Sequence, residues 1–178
     1  MTQSKVELAR QFCEHYHEGQ FRKGSNLPYH SHPIAVARTL SRYGYDDVVT
    51  QCIALLHDTV EDSHLRMDEI QDAFGYEVSN GVYILSKNKG KMADGEKLEH
   101  DDYIKRLSWA RSKVKRVKIG DMIENTIDLE SLSTRGIERK LADAERVYIP
   151  WGQSIAPLMV KELVKNVENF RTKTRSAG

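Results

Sequence analysis

Apolar residues recur at three- and four-residue spacing along most of the chain, while β-branched alternation of the strand type is scarce, so the pattern predicts an all-α fold. Val6, Leu8, Ala9, Phe12, Cys13 and Tyr16 mark a first helix that fails at Gly19, ahead of the irregular polar stretch GQFRKGSNLPYHS. HPIAVARTLSRYG starts a second helix and Gly44 ends it; Pro33 suits the first helical position, where its missing N–H would have no partner anyway. YDDVVTQCIALLHD gives a third, with Asp46 or Asp47 as N-cap and Val48, Val49, Cys52, Ile53, Leu55 and Leu56 turned inward. MDEIQDAFGYEVSNGVYILSK reads as two short helices broken at Gly75, with Phe74, Val78, Val82 and Leu85 as core. NKGKMADGEKLEHDD has no aliphatic periodicity and is expected as a loop bordering a site. Helix resumes in YIKRLSWARSK and in VKRVKIGDMIENTIDL, and two more helices are expected around Pro150 and Gly152 before the basic end RTKTRSAG. With no repeat and no linker, the 178 residues are expected to form a single domain over 1–178.

Charge narrows the partners. Lysine and arginine total 27 against 26 acids, a formal net charge of +1, so no overall field would hold the chain on a nucleic-acid polymer or an anionic membrane. Any phosphate binding must be local, which points to a small molecule. No apolar run approaches bilayer length, and MTQSKVELARQF lacks the hydrophobic stretch of a signal peptide. Cys13 and Cys52 sit far apart in helix-like apolar surroundings, as expected of reduced thiols, and the expected compartment is cytoplasmic. Homo-oligomerisation is left open.

The chemistry begins where CIALL runs into HDTVEDS. His57, Asp58, Glu61 and Asp62 follow a packed helix, and ionisable groups at a buried helix end are costly unless paired or bound to a cation. If the helix continues to Ser63, His57 falls beside Glu61 and Asp58 beside Asp62, one turn apart; the bland alternative is a helix that ends at His57 in a solvated turn. His32 stands at the edge of the stripe Ile34, Val36, Ala37 and Leu40. Asp121 lies inside the apolar helix VKIGDMIENTIDL, with Asn125 one turn later on the same face. Two histidines and two aspartates form a mixed nitrogen and oxygen set that suits Mn, Fe or Zn better than Mg or Ca. A second pair, His100-Asp101, lacks a preceding apolar run and reads as a solvated helix start. Positive charge near the loops comes from Arg22, Lys23, Lys87, Lys89 and Lys91, of which Arg22 begins the loop that delivers His32 and could clamp a phosphate or stack on a base. The run Arg111, Lys113, Lys115, Arg116 and Lys118 reads as an outer helix face.

The stretches HEGQFRKG, PYHSHPIAVA, ALLHDTVEDS, FGYEVSNGVYILSK and VKIGDMIENTIDL, in that order over roughly residues 15 to 130, resemble the HD-domain hydrolases, and within them the RelA/SpoT-type alarmone hydrolases, including the stand-alone Mesh-type form. The resemblance implies a helical bundle of the HD type, with further helices at about 135–170. It implies one Mn2+ (or another divalent metal) on His32, His57, Asp58 and Asp121, and a water activated and positioned by Glu61 and Asp62. It also implies nucleotide contacts from Arg22, Lys23 and Asn125. The implied activity is hydrolysis of the 3′-pyrophosphate of guanosine tetra- or pentaphosphate to GDP or GTP, without synthesis. Two alternatives stand beside it: an HD phosphohydrolase for another nucleotide phosphate such as NADPH, and a non-catalytic nucleotide-binding HD domain.

Overall fold

The computed structural model describes residues 3–87, 100–127, 129 and 132–176, with side chains as far as Lys173. Among them the fold is all-α, and extended pairing is confined to one isolated bridge between Phe21 and Pro28. The helices are α1 (Lys5–Tyr16), α2 (Ser31–Arg42), α3 (Val48–Leu56), α4 (Thr59–Asp62), α5 (Met67–Phe74) and α6 (Tyr76–Leu85), then α7 (His100–Ser108), α8 (Ser112–Asn125), α9 (Thr134–Asp143), α10 (Ile149–Ile155) and α11 (Pro157–Ser176). A π-helical turn, Ala144–Tyr148, joins α9 to α10. The segment expected as a loop falls mostly at residues 88–99, with Lys89 and Lys91, outside the described residues.

The periodicity places α3 at the centre. Every residue from Thr50 to Leu56 is buried, and α3 packs on α1, α2 and α6. Asp47 is its N-cap and accepts from the Thr50 amide at 3.2 Å, satisfying one of the donors a helix start leaves open. Leu55, Leu56 and Ile53 are each almost fully enclosed, and burying a side chain of that size contributes about 1.5–3 kcal/mol. The end of α3 is thereby fixed against its neighbours. Helix α8 is buried on nearly all sides from Val117 to Ile123, packed on α2, α10 and α11. Arg116 Nε donates to the Ile155 carbonyl at 3.0 Å and Asn166 to the Thr126 hydroxyl at 3.0 Å, tying α8 to the C-terminal helices.

Three local expectations are corrected. Helix α2 begins at Ser31, so Pro33 is its third residue; it remains within the first turn, where no intrahelical acceptor awaits the N–H that proline lacks. The helix through CIALL stops at Leu56, and His57 and Asp58 form a turn before the short α4, so the condition of a helix running on to Ser63 is not met; the helix ends at His57 as in the alternative, but with that histidine buried and not solvated. The C-terminal break falls at Ala156 (φ −155, ψ 57) instead of at Pro150 and Gly152, which lie inside α10. The π-turn just before Pro150 re-spaces the carbonyls ahead of the ring, and such a bulge is a recognised way to accommodate an irregularity within a helix. Gly152 is where α11 crosses: a Cβ there would meet Val160 Cγ2 at 2.2 Å and Ile119 Cδ1 at 3.0 Å. Gly152→Ala is therefore expected to cost about 1–3 kcal/mol by overpacking, read as a lower midpoint in chemical denaturation with unchanged m. The break at Gly75 is as expected, and its φ of +91 is a conformation that side-chain-bearing residues rarely adopt.

Candidate metal and substrate site

Three elements deliver four ionisable side chains to one point. His32 comes from the first turn of α2, His57 and Asp58 from the turn closing α3, and Asp121 from the buried middle of α8. His32 Nε2 lies 3.1 Å from Asp121 Oδ1 and 3.8 Å from Asp58 Oδ2; His57 Nε2 lies 3.3 Å from Asp58 Oδ2 and 3.8 Å from Asp121 Oδ1. His32, His57 and Asp58 each offer a ligand atom within 4.8 Å of the others, a spacing that a single cation can bridge. The sequence-predicted ligand set thus comes together.

The surroundings orient these donors. His57 Nδ1 is 2.7 Å from the Ala54 carbonyl, so it carries the proton toward that acceptor and leaves Nε2 facing the carboxylates. His57 Nε2 is buried and makes no hydrogen bond despite the nearby oxygens. An orphaned imidazole nitrogen beside two acids fits a divalent cation held by nitrogen and oxygen. Burial opposes charge on Asp58, but His57 and His32 beside it hold its carboxyl below the usual range. Burial likewise opposes charge on Asp121, and Lys118, His32 and His57 outweigh it. Desolvation disfavours the imidazolium of His57, yet Asp58 and Asp121 push its pKa well above the ordinary histidine value. The two carboxylates therefore make a point in the interior that attracts positive charge.

Neighbouring side chains complete the site, and two of them, Tyr29 and Lys118, are absent from the sequence-predicted set. Tyr29, one turn before His32, donates its hydroxyl to Asp58 Oδ2 at 2.8 Å; burial and then Asp58 and Asp62 raise the phenol's pKa, which keeps it a donor. Lys118 corrects the reading of its charge run as an outer face: it is 7% exposed and its Nζ bonds Asp121 Oδ2 at 2.7 Å. Its i, i+3 spacing from Asp121 was the available signal, since the two share a face. Asn125 lies one turn beyond Asp121 and donates to Oδ1. Glu61 accepts from the Lys87 amide at 3.0 Å, and the Asp62 carbonyl accepts from Gln20 Nε2 at 2.8 Å, so both acids sit on a braced turn.

A cavity of about 850 Å³ opens over this point. Arg22, Lys23, Glu61, Asp62 and Asn125 line it together with the four donors, as do Lys87, Lys118, Arg139 and Lys140. Burial lowers Lys140 to about 8, with Lys118 and Lys87 reinforcing and Asp121 opposing. Arg139, Lys140 and Tyr148 come from the C-terminal helical run, where the sequence offered no chemical motif. His100 opens α7 as a helix start, but its Nε2 reaches Asp143 at 3.0 Å on the cavity wall instead of facing only solvent. Asp101 is exposed, as expected. Cys13 and Cys52 are buried free thiols, not joined in a disulfide. Among the described residues no helix is long and apolar enough to cross a membrane.

The chain is similar to guanosine-3′,5′-bis(diphosphate) 3′-pyrophosphohydrolase MESH1 of Mus musculus, 35% identical over 131 residues that cover 72% of this chain and 71% of that protein. It is 33% identical to the protein of the same name in Xenopus tropicalis over 150 residues, covering 83% and 80% respectively. A GTP pyrophosphokinase of Streptomyces coelicolor is 31% identical over 167 residues, 90% of this chain but 19% of that protein, so the chain spans about a fifth of the length of such relatives. Among solved structures, a metazoan ortholog of SpoT that hydrolyses ppGpp superposes with a TM-score of 0.80 at 22% identity, covering 95% of this chain and 97% of the other, which shows a shared fold. With residues 9–150 matching the HD domain, the chain belongs to the HD domain family.

Proposed function

We propose that this protein is a Mn2+-dependent hydrolase that removes the 3′-pyrophosphate of guanosine tetra- and pentaphosphate, giving GDP or GTP and pyrophosphate. The observation that carries the reading is the convergence of His32, His57, Asp58 and Asp121 at the floor of a cavity whose walls bear Arg22, Lys87, Arg139 and Lys140. The activity for which the MESH1 relatives are named, proteins that this chain covers over most of their length, supports the substrate class.

The chain's own residues divide the work. His32, His57, Asp58 and Asp121 would hold the ion, with Tyr29 and Asn125 fixing the two carboxylates by hydrogen bonds. The ion supplies a Lewis acid that makes water easier to deprotonate and offsets charge on phosphoryl oxygens. Glu61 and Asp62 line the same cavity as the four donors and are the carboxylates that would take and guide the proton, with the Lys87 amide aiming Glu61. Arg22 and Lys23, from the loop before α2, contact the nucleotide from one wall; Asn125 lines the cavity next to Asp121. Lys87 and Lys140, which line the same cavity, receive phosphate charge.

The test is pyrophosphate and phosphate release across a panel of guanosine tetraphosphate, guanosine pentaphosphate and NADPH, each with Mn2+ and with chelator. Rapid Mn2+-dependent pyrophosphate release from the two alarmones, abolished by chelator, is expected. Turnover confined to NADPH, or none with any substrate, overturns the substrate assignment.

A further inference from the structure

Lys118 carries an ammonium into the interior of α8. Its Nζ is 2.7 Å from Asp121 Oδ2 and lies over the rings of Tyr103, at 5.9 Å, and Tyr148, at 5.5 Å. The two rings are themselves held: the Tyr103 hydroxyl donates to the Leu85 carbonyl at 3.0 Å, and Tyr148 packs edge-on against Trp151 at 5.7 Å. A buried lysine is costly unless its charge is met, and here one carboxylate oxygen and two aromatic faces meet it. The consequence falls on Asp121. Its Oδ2 is engaged by Lys118, which leaves Oδ1 to face His32 Nε2 at 3.1 Å and His57 Nε2 at 3.8 Å and to accept from Asn125.

We infer that Lys118 is a positioning residue: it reserves Asp121 Oδ2, so that Asp121 presents a single oxygen to the cation, and it sets a fixed positive charge on the far side of that carboxylate. The lysine thereby weakens cation binding while leaving the cation fewer protein oxygens and more room for a reactant. The inference rests on the cation-binding part of the functional reading and is independent of which nucleotide is the substrate.

Lys118→Met removes the charge and the N–H while keeping most of the stem's volume. The full chain is titrated calorimetrically with MnCl2, and the visible absorption of the Co2+-loaded protein is recorded. The Mn2+ dissociation constant is expected to fall on the order of tenfold, because a like charge near the cation is gone. The Co2+ bands are expected to weaken as Asp121 adds its second oxygen, and Lys118→Arg restores them. A lysine that served packing alone gives the opposite pattern, weaker Mn2+ binding falling in step with the thermal midpoint; that pattern, or bands identical to wild type, overturns the inference. If the Met variant does not fold, Lys118→Gln decides, since it keeps an N–H for Oδ2 without charge: tighter Mn2+ with wild-type bands supports the inference, and weaker binding sinks it. Wild-type protein that takes up neither Mn2+ nor Co2+ defeats the cation reading and this inference together, whereas a metal-binding wild type matched by Lys118→Met defeats this inference alone.

Discussion

Asp58→Ala is expected to remove bound Mn2+ and pyrophosphate release together. Asp58 Oδ2 lies 3.3 Å from His57 Nε2, closer than Asp121 Oδ1 at 3.8 Å, and 3.8 Å from His32 Nε2, so its loss removes an oxygen that faces both imidazoles. Changes just outside a metal's ligand set commonly cost roughly 10–100-fold in affinity, and loss of a ligand should exceed that range. Turnover should drop to the level of chelated wild type. The Tyr29 hydroxyl, 2.8 Å from Asp58, loses its acceptor in the same variant, and a half-buried donor left unpaired costs up to about 1–3 kcal/mol. Some destabilisation is therefore expected, and it is separated from the functional effect by Asp58→Asn, which keeps an acceptor for Tyr29 while discarding the charge. Calorimetric Mn2+ titration and kcat for both variants, with far-UV circular dichroism as a check on folding, decide the matter. Retention of wild-type Mn2+ affinity in folded Asp58→Ala would remove Asp58 from the ligand set.

The central part of this site could be read in the sequence because the physics that marks it is local. A run of buried aliphatics ending in His57-Asp58, and an aspartate amid Val117, Ile119, Met122 and Ile123, both place charge where burial makes it costly, and a shared cation would offset both. Residues that act through another helix left no such mark. Lys118 carries only its i, i+3 spacing from Asp121 as a hint, since a charge run does not reveal that Tyr103 from α7 and Tyr148 from the π-turn cover one of its members. Arg139 and Lys140 reach the cavity through the packing of α9, and no spacing in their own segment states which helix lies opposite. The same limit explains the displaced C-terminal break. Glycine and proline read as local punctuation in a sequence, but Gly152 is small because Val160 of α11 passes against it, and the chain turns instead at Ala156. Tertiary contact overrides local propensity at these positions.

Glu61→Gln is expected to separate metal from turnover. Glu61 stands outside the cluster formed by His32, His57 and Asp58, and it is held from the side by the Lys87 amide at 3.0 Å. Glutamine can keep that acceptor through its amide oxygen, so the turn carrying Asp62 should stay in place. What the substitution discards is a carboxylate able to take a proton from water. Positioned general bases commonly contribute about 10²–10⁴-fold, or roughly 3–5 kcal/mol of barrier, and kcat should fall within that range. Mn2+ affinity should change by less than the roughly tenfold that marks even an outer-shell loss. KM for the nucleotide should move little, because Arg22, Lys23, Lys87 and Lys140 along the cavity are untouched. Parallel measurement of Mn2+ binding, kcat and KM in Glu61→Gln and Asp58→Ala gives the comparison. Equal metal loss in the two variants would place Glu61 among the ligands, and a Glu61→Gln enzyme retaining most of its kcat would leave the proton to Asp62, whose own asparagine variant should then show the loss.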